Sequence, residues 1–403
     1  MMGDLKSQND SQKLEWLPVE KQFATLAVHG GYTGENKCFS AIVPPISVAA
    51  TFEIDVPAVN RGYEYARTDN PSRKILEQKL AALDGGKYGI CYSSGLAAFS
   101  AVLSLIKNGD HLICSNDVYG GTVKLIMDSV DRLGFTVDFV DFDNLEGFKK
   151  ALKPETKMIF LETPANPTLR VFDLAKISKI AHDFNKDLLV VVDNTCLTSY
   201  FQRPLSFGVD LVHYSLTKYA NGHADVIMGA VITNNDSLKD RLKFYQNFNG
   251  GIPSPFDCYL VTRGLKTLPI RMKAVMESSL KVAEFLLEHP KVDAVFHPAL
   301  PSHGSHKLAK KQCSGHSGLM SFRIKEDAGS ALEFIRELKL FQNAGSFGGC
   351  ESLAELPAYF THKAVPEATR LSLGITNNFV RLAIGLESTE DLIEDLAQAL
   401  KKC

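Results

Sequence analysis

Three short segments hold residue types that could do chemistry at one centre. In Asp210 to Asp225 (DLVHYSLTKYANGHAD), Lys218 follows a strand-like run, with Ser215 and Thr217 just ahead of it. A lysine amine in a buried position loses its proton more easily and becomes a nucleophile. The two hydroxyls could donate to a phosphate. A surface lysine in a polar loop would show the same spacing. In Leu188 to Thr195 (LLVVVDNT), Asp193 closes an apolar strand. A carboxylate there sits where α/β sheets bind ligands. At about 4 Å and an effective dielectric of about 20 it stabilises a cation by roughly 4 kcal/mol, enough to hold a ring nitrogen protonated. A capping or turn role is the alternative. In Tyr88 to Ala98 (YGICYSSGLAA), Ser93-Ser94-Gly95 joins a strand to a helix. Backbone N–H groups at a helix start favour an anion, and Gly95 lets the backbone approach closely. An ordinary tight turn reads the same way.

The elements that must position these segments follow from patterning. Asn70-Pro71 is an N-cap and first-turn pair. Ile75, Leu76, Leu80 and Leu83 recur at helical spacing until Gly85-Gly86 stops the run. Strands are expected at Gly89–Tyr92, His111–Cys114, Thr136–Val140, Met158–Leu161, Leu188–Val192, Leu211–Tyr214 and Val226–Ile232. Helices are expected between several of them, including Leu96–Ile106 and Asp173–Phe184. Apolar strands alternating with helices predict an α/β fold with a mainly parallel sheet covered on both faces. After about Arg263 the pattern changes to long helices (Arg271–Glu288, Ser330–Lys339, Glu390–Lys402) around a few strands such as Leu319–Ile324, which predicts a smaller α+β domain. Residues 1–20 read as a flexible arm.

The 403 residues are 45% hydrophobic and 22% charged, ample for a globular core. Lys plus Arg (44) nearly balance Asp plus Glu (46), a net charge of −2, so no nucleic-acid footprint is present and no nucleic-acid partner is expected. No apolar run is long enough to span a bilayer, and no membrane partner is expected. Met1 to Glu15 is polar, so a secretory signal is not expected. Met2 to Ser7 fits a myristoylation pattern only if translation began at Met2. The eight cysteines form no C-x-x-C pair. They read as reduced thiols in a cytoplasmic setting, without a metal or disulfide framework. His223 reads as a packing or hydrogen-bonding residue rather than a ligand. The chain lacks the G-x-G-x-x-G, Walker A, H-E-x-x-H and G-x-S-x-G patterns, which excludes the usual dinucleotide, NTPase, zincin and α/β-hydrolase sites.

Together, S-x-T-K-Y-x-N-G-H at Ser215–His223, V-V-D-N-T at Val191–Thr195 and S-S-G-L-A-A at Ser93–Ala98 resemble the Cys/Met-metabolism family of pyridoxal-phosphate (PLP) enzymes. Further blocks agree: Tyr63–Arg67 (YEYAR), Asp117–Thr122 (DVYGGT), Glu162–Thr168 (ETPANPT), Glu351–Pro357 (ESLAELP) and Arg381–Glu387 (RLAIGLE). The resemblance runs from about Phe23 to the C-terminus. It implies the type I fold of PLP-dependent transferases, which is aspartate aminotransferase-like. The expected organisation is an N-terminal and inter-subunit segment over 1–65, a PLP-binding α/β domain over 66–262 and an α+β domain over 263–403. It also implies pyridoxal 5'-phosphate held as a Schiff base on Lys218, with Asp193 paired to the ring nitrogen. Tyr119 would stack on the ring and shuttle protons. The backbone at Gly95 and Leu96, the hydroxyls of Ser215 and Thr217, and Thr195 would complete the cofactor site. Tyr65 and Arg67 would come from a neighbouring subunit, making the enzyme a homotetramer of two catalytic dimers. Arg381 would grip the substrate α-carboxylate beside Asn166 and Ser346.

The most similar members act as lyases in transsulfuration, cleaving L-cystathionine by α,γ-elimination to cysteine, 2-oxobutyrate and ammonia. The alternatives within the family are the β-cleaving lyases and the γ-replacement transferases, such as cystathionine γ-synthase and the homoserine-ester sulfhydrylases. An inactive paralogue with a scaffold role is the alternative of another class. Glu64, Lys124 and Gly345 are expected at the distal substrate pocket. The family commonly has Arg where Lys124 stands and Glu where Gly345 stands. Gly345 is thus expected to leave space and remove a charge. Gly121 stands where methionine γ-lyases carry Cys.

Overall fold

Strand after strand in this chain is buried and apolar on both faces, and that composition requires a sheet covered on both sides. The structure, a computed structural model, describes residues 15–403 apart from 35, 36, 58, 61, 326 and 364. A short antiparallel pair, β1 (Ile54–Val56) and β2 (Val59–Asn60), comes first. The central sheet follows, from β3 (Tyr88–Tyr92), β4 (His111–Ser115), β5 (Thr136–Val140), β6 (Thr156–Glu162), β7 (Leu189–Asp193), β8 (Leu211–Ser215) and β9 (Gly229–Thr233). Their order is β3-β9-β8-β7-β6-β4-β5, and only β9 runs against the rest. The carboxyl ends of the other six therefore share one edge.

The helices are α1 (Phe23–His29), α2 (Pro71–Asp84), α3 (Gly95–Leu103), α4 (Gly120–Leu133), α5 (Leu145–Ala151), α6 (Leu174–Phe184), a short α7 (Thr198–Phe201), α8 (Asp236–Asn249), α9 (Pro255–Leu265) and α10 (Leu268–Glu288). Asn70 caps α2 by accepting the Ser72 and Arg73 N–H groups, and Gly85 ends it in the left-handed region at φ 69°. Both signals were legible in the sequence. The helix after Ser94 stops at Leu103 rather than Ile106, because Leu105 and Ile106 turn back onto Val102 and Leu103. The strand expected from Val226 begins at Gly229, since Met228 is instead bonded to the Thr217 hydroxyl.

A second sheet holds β10 (Val292–Phe296), β11 (Leu319–Ile324), β12 (Gln342–Asn343), β13 (Leu353–Glu355) and β14 (Phe379–Ala383) in the order β10-β11-β14-β13-β12. Its own core runs from Val282 to Leu400 and includes Phe322, Phe334, Leu382 and Leu396. Arg263 lies inside α9, and α10 lies between the two sheets in sequence. The Arg381 side of β14 faces the central sheet's functional edge through Asn166.

Residues 1–14 of the expected arm, and the Met2–Ser7 pattern with them, lie outside the described residues. From residue 15 the arm is docked rather than loose. The Leu17 N–H donates to Cys313, and Pro18 accepts from the Ser314 hydroxyl. All eight cysteines are free, and five are buried. Among the described residues no helix is long and apolar enough to cross a membrane, and no cluster of metal-ligating side chains occurs.

Candidate active site

The shared strand edge brings together residues that are far apart in sequence. Glu162 and Asp193, the last residues of β6 and β7, and His213, two residues before the end of β8, stand side by side in register. Three residues past β8, Lys218 lies in a tight loop closed by Asn221 N–H to Leu216 and Gly222 N–H to Lys218 hydrogen bonds. Gly222 takes φ 80°, and the Arg271 guanidinium fills the space where a Cβ would lie. Arg271, reaching from α10, donates to the carbonyls of Tyr219 (2.7 Å) and Gly264 (2.8 Å) and fixes the loop from behind. The Lys218 Nζ donates to the Ser346 hydroxyl at 2.8 Å and lies 5.2 Å from the Phe347 ring centroid. Burial, helped by the nearby Arg381 charge, lowers this amine to about 8. The residue is therefore a partly desolvated amine, not a solvated surface lysine.

Asp193 accepts from His213 Nδ1 at 2.9 Å and from the Thr195 backbone N–H at 2.9 Å. Burial pushes its carboxyl up, but the His213 charge and these bonds outweigh that and hold it below the usual range. Neighbouring Glu162 is pushed well up by burial and by Asp193. It accepts the backbone N–H groups of Tyr119 and Asn166, both at 3.0 Å, and so anchors two site loops. Ser94 caps α3, and Gly95 opens it. A Cβ on Gly95 would lie 3.1 Å from the Ser215 Cβ, tighter than ordinary contact, so glycine eases the close approach of the helix start to β8. Leu96 is the next residue of that first turn. The Thr195 hydroxyl accepts from the Ser215 N–H at 2.8 Å, and the Thr217 hydroxyl is bonded to Met228 N–H at 3.0 Å. A helix start flanked by hydroxyls is a cradle for an anion.

Arg381 is buried on β14. Its Nη1 pairs with Glu355 at 2.9 Å and donates to Asn166 Oδ1 at 3.3 Å, and its Nη2 donates to the Ser346 carbonyl at 2.7 Å. Its Nε and Glu355 Oε2 have no partner among the described residues, which leaves hydrogen-bonding capacity for a ligand carboxylate and its neighbour. Tyr119 is the N-terminal flank of α4, with a half-exposed ring lying over Gly121. Any side chain at position 121 would meet that ring, 2.3 Å from its Cε1.

Lys218, Asp193, Thr195, Gly95, Ser215, Asn166, Ser346 and Arg381 are thus brought to one place. Tyr65 and Arg67 are not. Arg67 donates to Asn247 of α8 at 3.2 Å and lies over the Tyr65 ring. Glu64 and Lys124 are exposed. One expectation is corrected. Gly345 does not leave space, because the Phe360 ring occupies it. A Cβ there would lie 1.8 Å from Phe360 Cε1 and 3.0 Å from Glu355 Oε2. His213, Glu355, Arg271 and Phe360 went unnoticed in the sequence. Glu355 sat within a quoted block, and His213 stands two residues before Ser215 on the same face of the strand. Neither has a spacing that marks it. His223 is exposed and bonded to the Asn221 carbonyl, as a hydrogen-bonding residue.

Residues 24–401 match the family described as Cys/Met metabolism PLP-dependent enzyme. The chain is 47% identical to the cystathionine γ-lyase of Bos taurus over 386 residues, 96% of this chain and 95% of that one. Its structure resembles that of metB from Corynebacterium glutamicum, with a TM-score of 0.91 and 40% identity over 94% of this chain and 98% of that one. It also resembles cystathionine γ-lyase from Lactobacillus plantarum complexed with L-serine, with a TM-score of 0.90 and 38% identity over the same shares. The fold is accordingly the type I fold of PLP-dependent enzymes, and the cofactor is pyridoxal 5'-phosphate. The residues fit that group: an amine of lowered basicity at Lys218, a carboxylate at Asp193, and the Gly95 cradle that a Cβ would fill.

Two predictions follow from this geometry. Cofactor capture by the cofactor-free protein needs the neutral Lys218 amine, so its rate is expected to climb with pH and level off above about 8. Stopped-flow absorbance checks this, and a midpoint near that of an ordinary lysine would contradict it. Gly345→Glu is expected to displace the exposed Phe360 ring at a cost of at most about 1 kcal/mol, the low end of the overpacking range, and Gly345→Glu/Phe360→Ala to recover most of it. Denaturant unfolding measures both, and an equal loss in both proteins would contradict the interlock.

Proposed function

The chain belongs to the Cys/Met-metabolism family of PLP-dependent enzymes, and from that premise we propose that it is a carbon–sulfur lyase of transsulfuration. It cleaves L-cystathionine by α,γ-elimination into cysteine, 2-oxobutyrate and ammonia. The observation that carries the reading is Lys218 held 2.8 Å from Ser346, whose carbonyl is bonded to Arg381, in a chain 47% identical to a cystathionine γ-lyase over nearly its whole length.

Bound at Lys218, pyridoxal phosphate supplies an electron sink for negative charge at the substrate's Cα. The protein does the rest. The unsatisfied N–H of Arg381, with the Asn166 amide beside it, holds the α-carboxylate and so orients the Cα–H bond. Lys218 Nζ, whose basicity lies near neutrality, takes that proton and later returns one to the carbon skeleton. A Cβ proton is then removed, its electron pair forms the Cβ–Cγ double bond as the Cγ–S bond breaks, and the departing sulfur takes a proton with help from the Tyr119 phenol. The four-carbon remainder takes up water and loses ammonia to give 2-oxobutyrate. Asp193 keeps the ring nitrogen protonated. The Gly95 and Leu96 backbone, Ser215 and Thr217 hold the phosphate, and Thr195 braces Ser215. Glu64, Lys124 and Gly345 with Phe360 border the distal end.

Tyr65 and Arg67 complete the phosphate site of a second copy, which makes the enzyme a homo-oligomer, a tetramer of two catalytic dimers. Supporting this, the N-terminal segment exposes apolar side chains: Phe39 is 99% exposed, Ile42 89% and Val48 79%. Such a surface is covered in a stable assembly. The absence of any disulfide among the eight cysteines supports a reducing, cytoplasmic compartment. The separate core of the second sheet, from Val282 onward, supports a distinct C-terminal α+β unit within the proposed division into 1–65, 66–262 and 263–403, although that core starts later than residue 263.

Product analysis with L-cystathionine and pyridoxal phosphate tests the function. Cysteine with 2-oxobutyrate is expected, and Lys218→Ala is expected to show no turnover above background. Homocysteine with pyruvate would replace this reading with β-cleavage.

A further inference from the structure

One side chain at the centre of the site has no part in the chemistry above. His213 is buried on β8, with its ring edge-on to Phe99 and Phe160 at centroid distances of 6.1 and 6.2 Å. Its Nδ1 lies 2.9 Å from Asp193 Oδ2, and its Nε2 lies 2.8 Å from the Gly95 carbonyl oxygen. A carbonyl has no proton to give, so Nε2 must carry a hydrogen. Nδ1 faces a carboxyl oxygen, so a second proton lies on that line, either on the ring or on the acid.

Three observations favour the ring. Asp193 Oδ1 accepts the Thr195 backbone N–H at 2.9 Å, a bond that favours the charged carboxylate. The intrinsic values also favour it, about 6.5 for imidazole against about 3.9 for aspartate. Among the described residues, the ring's other named neighbours, Phe99 and Phe160, carry no charge. Burial by itself lowers the imidazole, but the Asp193 charge and the hydrogen bonds to Asp193 and Gly95 outweigh it and raise the group. Glu162, the other carboxyl in register, is spent on two backbone N–H groups and is pushed toward its neutral form, first by burial.

We propose that His213 is a resident imidazolium, a positioning residue that locks Asp193 as an oriented carboxylate and ties it to the Gly95 turn. This deepens the reading above and rests on Asp193 as the partner of the cofactor's ring nitrogen. The consequence is mechanical as well as electrostatic. Asp193 serves the ring-nitrogen end of the cofactor site and Gly95 the phosphate end, on different elements. One buried cation bonded to both sets their spacing before any cofactor arrives. It also keeps Asp193 ionised next to Glu162, where two buried carboxyls would otherwise share a proton.

The test is nitrogen NMR on the holoenzyme labelled with 15N-histidine, without substrate. The His213 resonances are those lost in His213→Asn, with His213→Gln as the second variant if the first does not fold. Both ring nitrogens are expected to carry hydrogen at neutral pH. A ring with hydrogen on Nε2 alone would put the shared proton on Asp193 and overturn the proposal. A second readout is cofactor affinity. His213→Asn keeps a donor toward Asp193 but removes the charge and the Gly95 link. Its dissociation constant for pyridoxal phosphate is expected to rise roughly tenfold or more, the scale of one charge-assisted hydrogen bond. Unchanged affinity would overturn the positioning role. Neither measurement involves cystathionine, so its failure and a failed product assay are separate results.

Discussion

A guanidinium buried where the two sheets meet sets the terms of this site. Arg381 stands on β14 of the smaller sheet and is 2% exposed. Taking such a charge out of water costs several kcal/mol, and only close, well-formed partners offset it. Glu355, Asn166 and the Ser346 carbonyl are those partners. Each has a second commitment. Ser346 presents its hydroxyl to Lys218, and Asn166 is tied by its backbone to Glu162, which also holds the backbone of Tyr119. The amine, the carboxylate grip and the aromatic flank are therefore one connected network. The same positive charge also helps burial lower the Lys218 amine. The group proposed to bind the substrate thus helps lower the basicity of the amine proposed to carry the cofactor.

The central sheet contributes by direction. Because β6, β7 and β8 run parallel and staggered, Glu162 and Asp193 at the ends of β6 and β7 and His213 within β8 become neighbours in register without any local sequence signal. Two carboxyls beside each other in a buried place cannot both be charged at low cost. The structure separates their roles by their donors. Glu162 accepts two backbone N–H groups and pins loops, while Asp193 faces the imidazole and stays ionised. Glycine at position 95 then lets the start of α3 close against Ser215.

Local signals were readable in the sequence, and contacts across the fold were not. The Asn70 cap, the Gly85 stop and the strands of the central sheet were visible, because capping and apolar runs are properties of adjacent residues. Lys218, Asp193 and the Gly95 turn were visible for the same reason, although each kept a bland alternative until burial was known. What stayed hidden depends on residues far apart in the chain. The Arg271 brace spans 52 residues to Tyr219, and the His213 bond to Gly95 spans 118. Gly345 was read as an opening because a glycine looks like space in a sequence. The ring of Phe360, from another turn, fills it. Arg67 bonds Asn247 of α8 in its own chain and lies over the Tyr65 ring, away from the site that Lys218 and Asp193 form.

The central claim is that Lys218, among the lysines of this chain, carries the cofactor. Reducing the holoenzyme with borohydride and identifying the cofactor-bearing peptide by mass spectrometry tests it most directly. The account predicts the label on Lys218 alone. A label on any other lysine, with Lys218 unmodified, would contradict it.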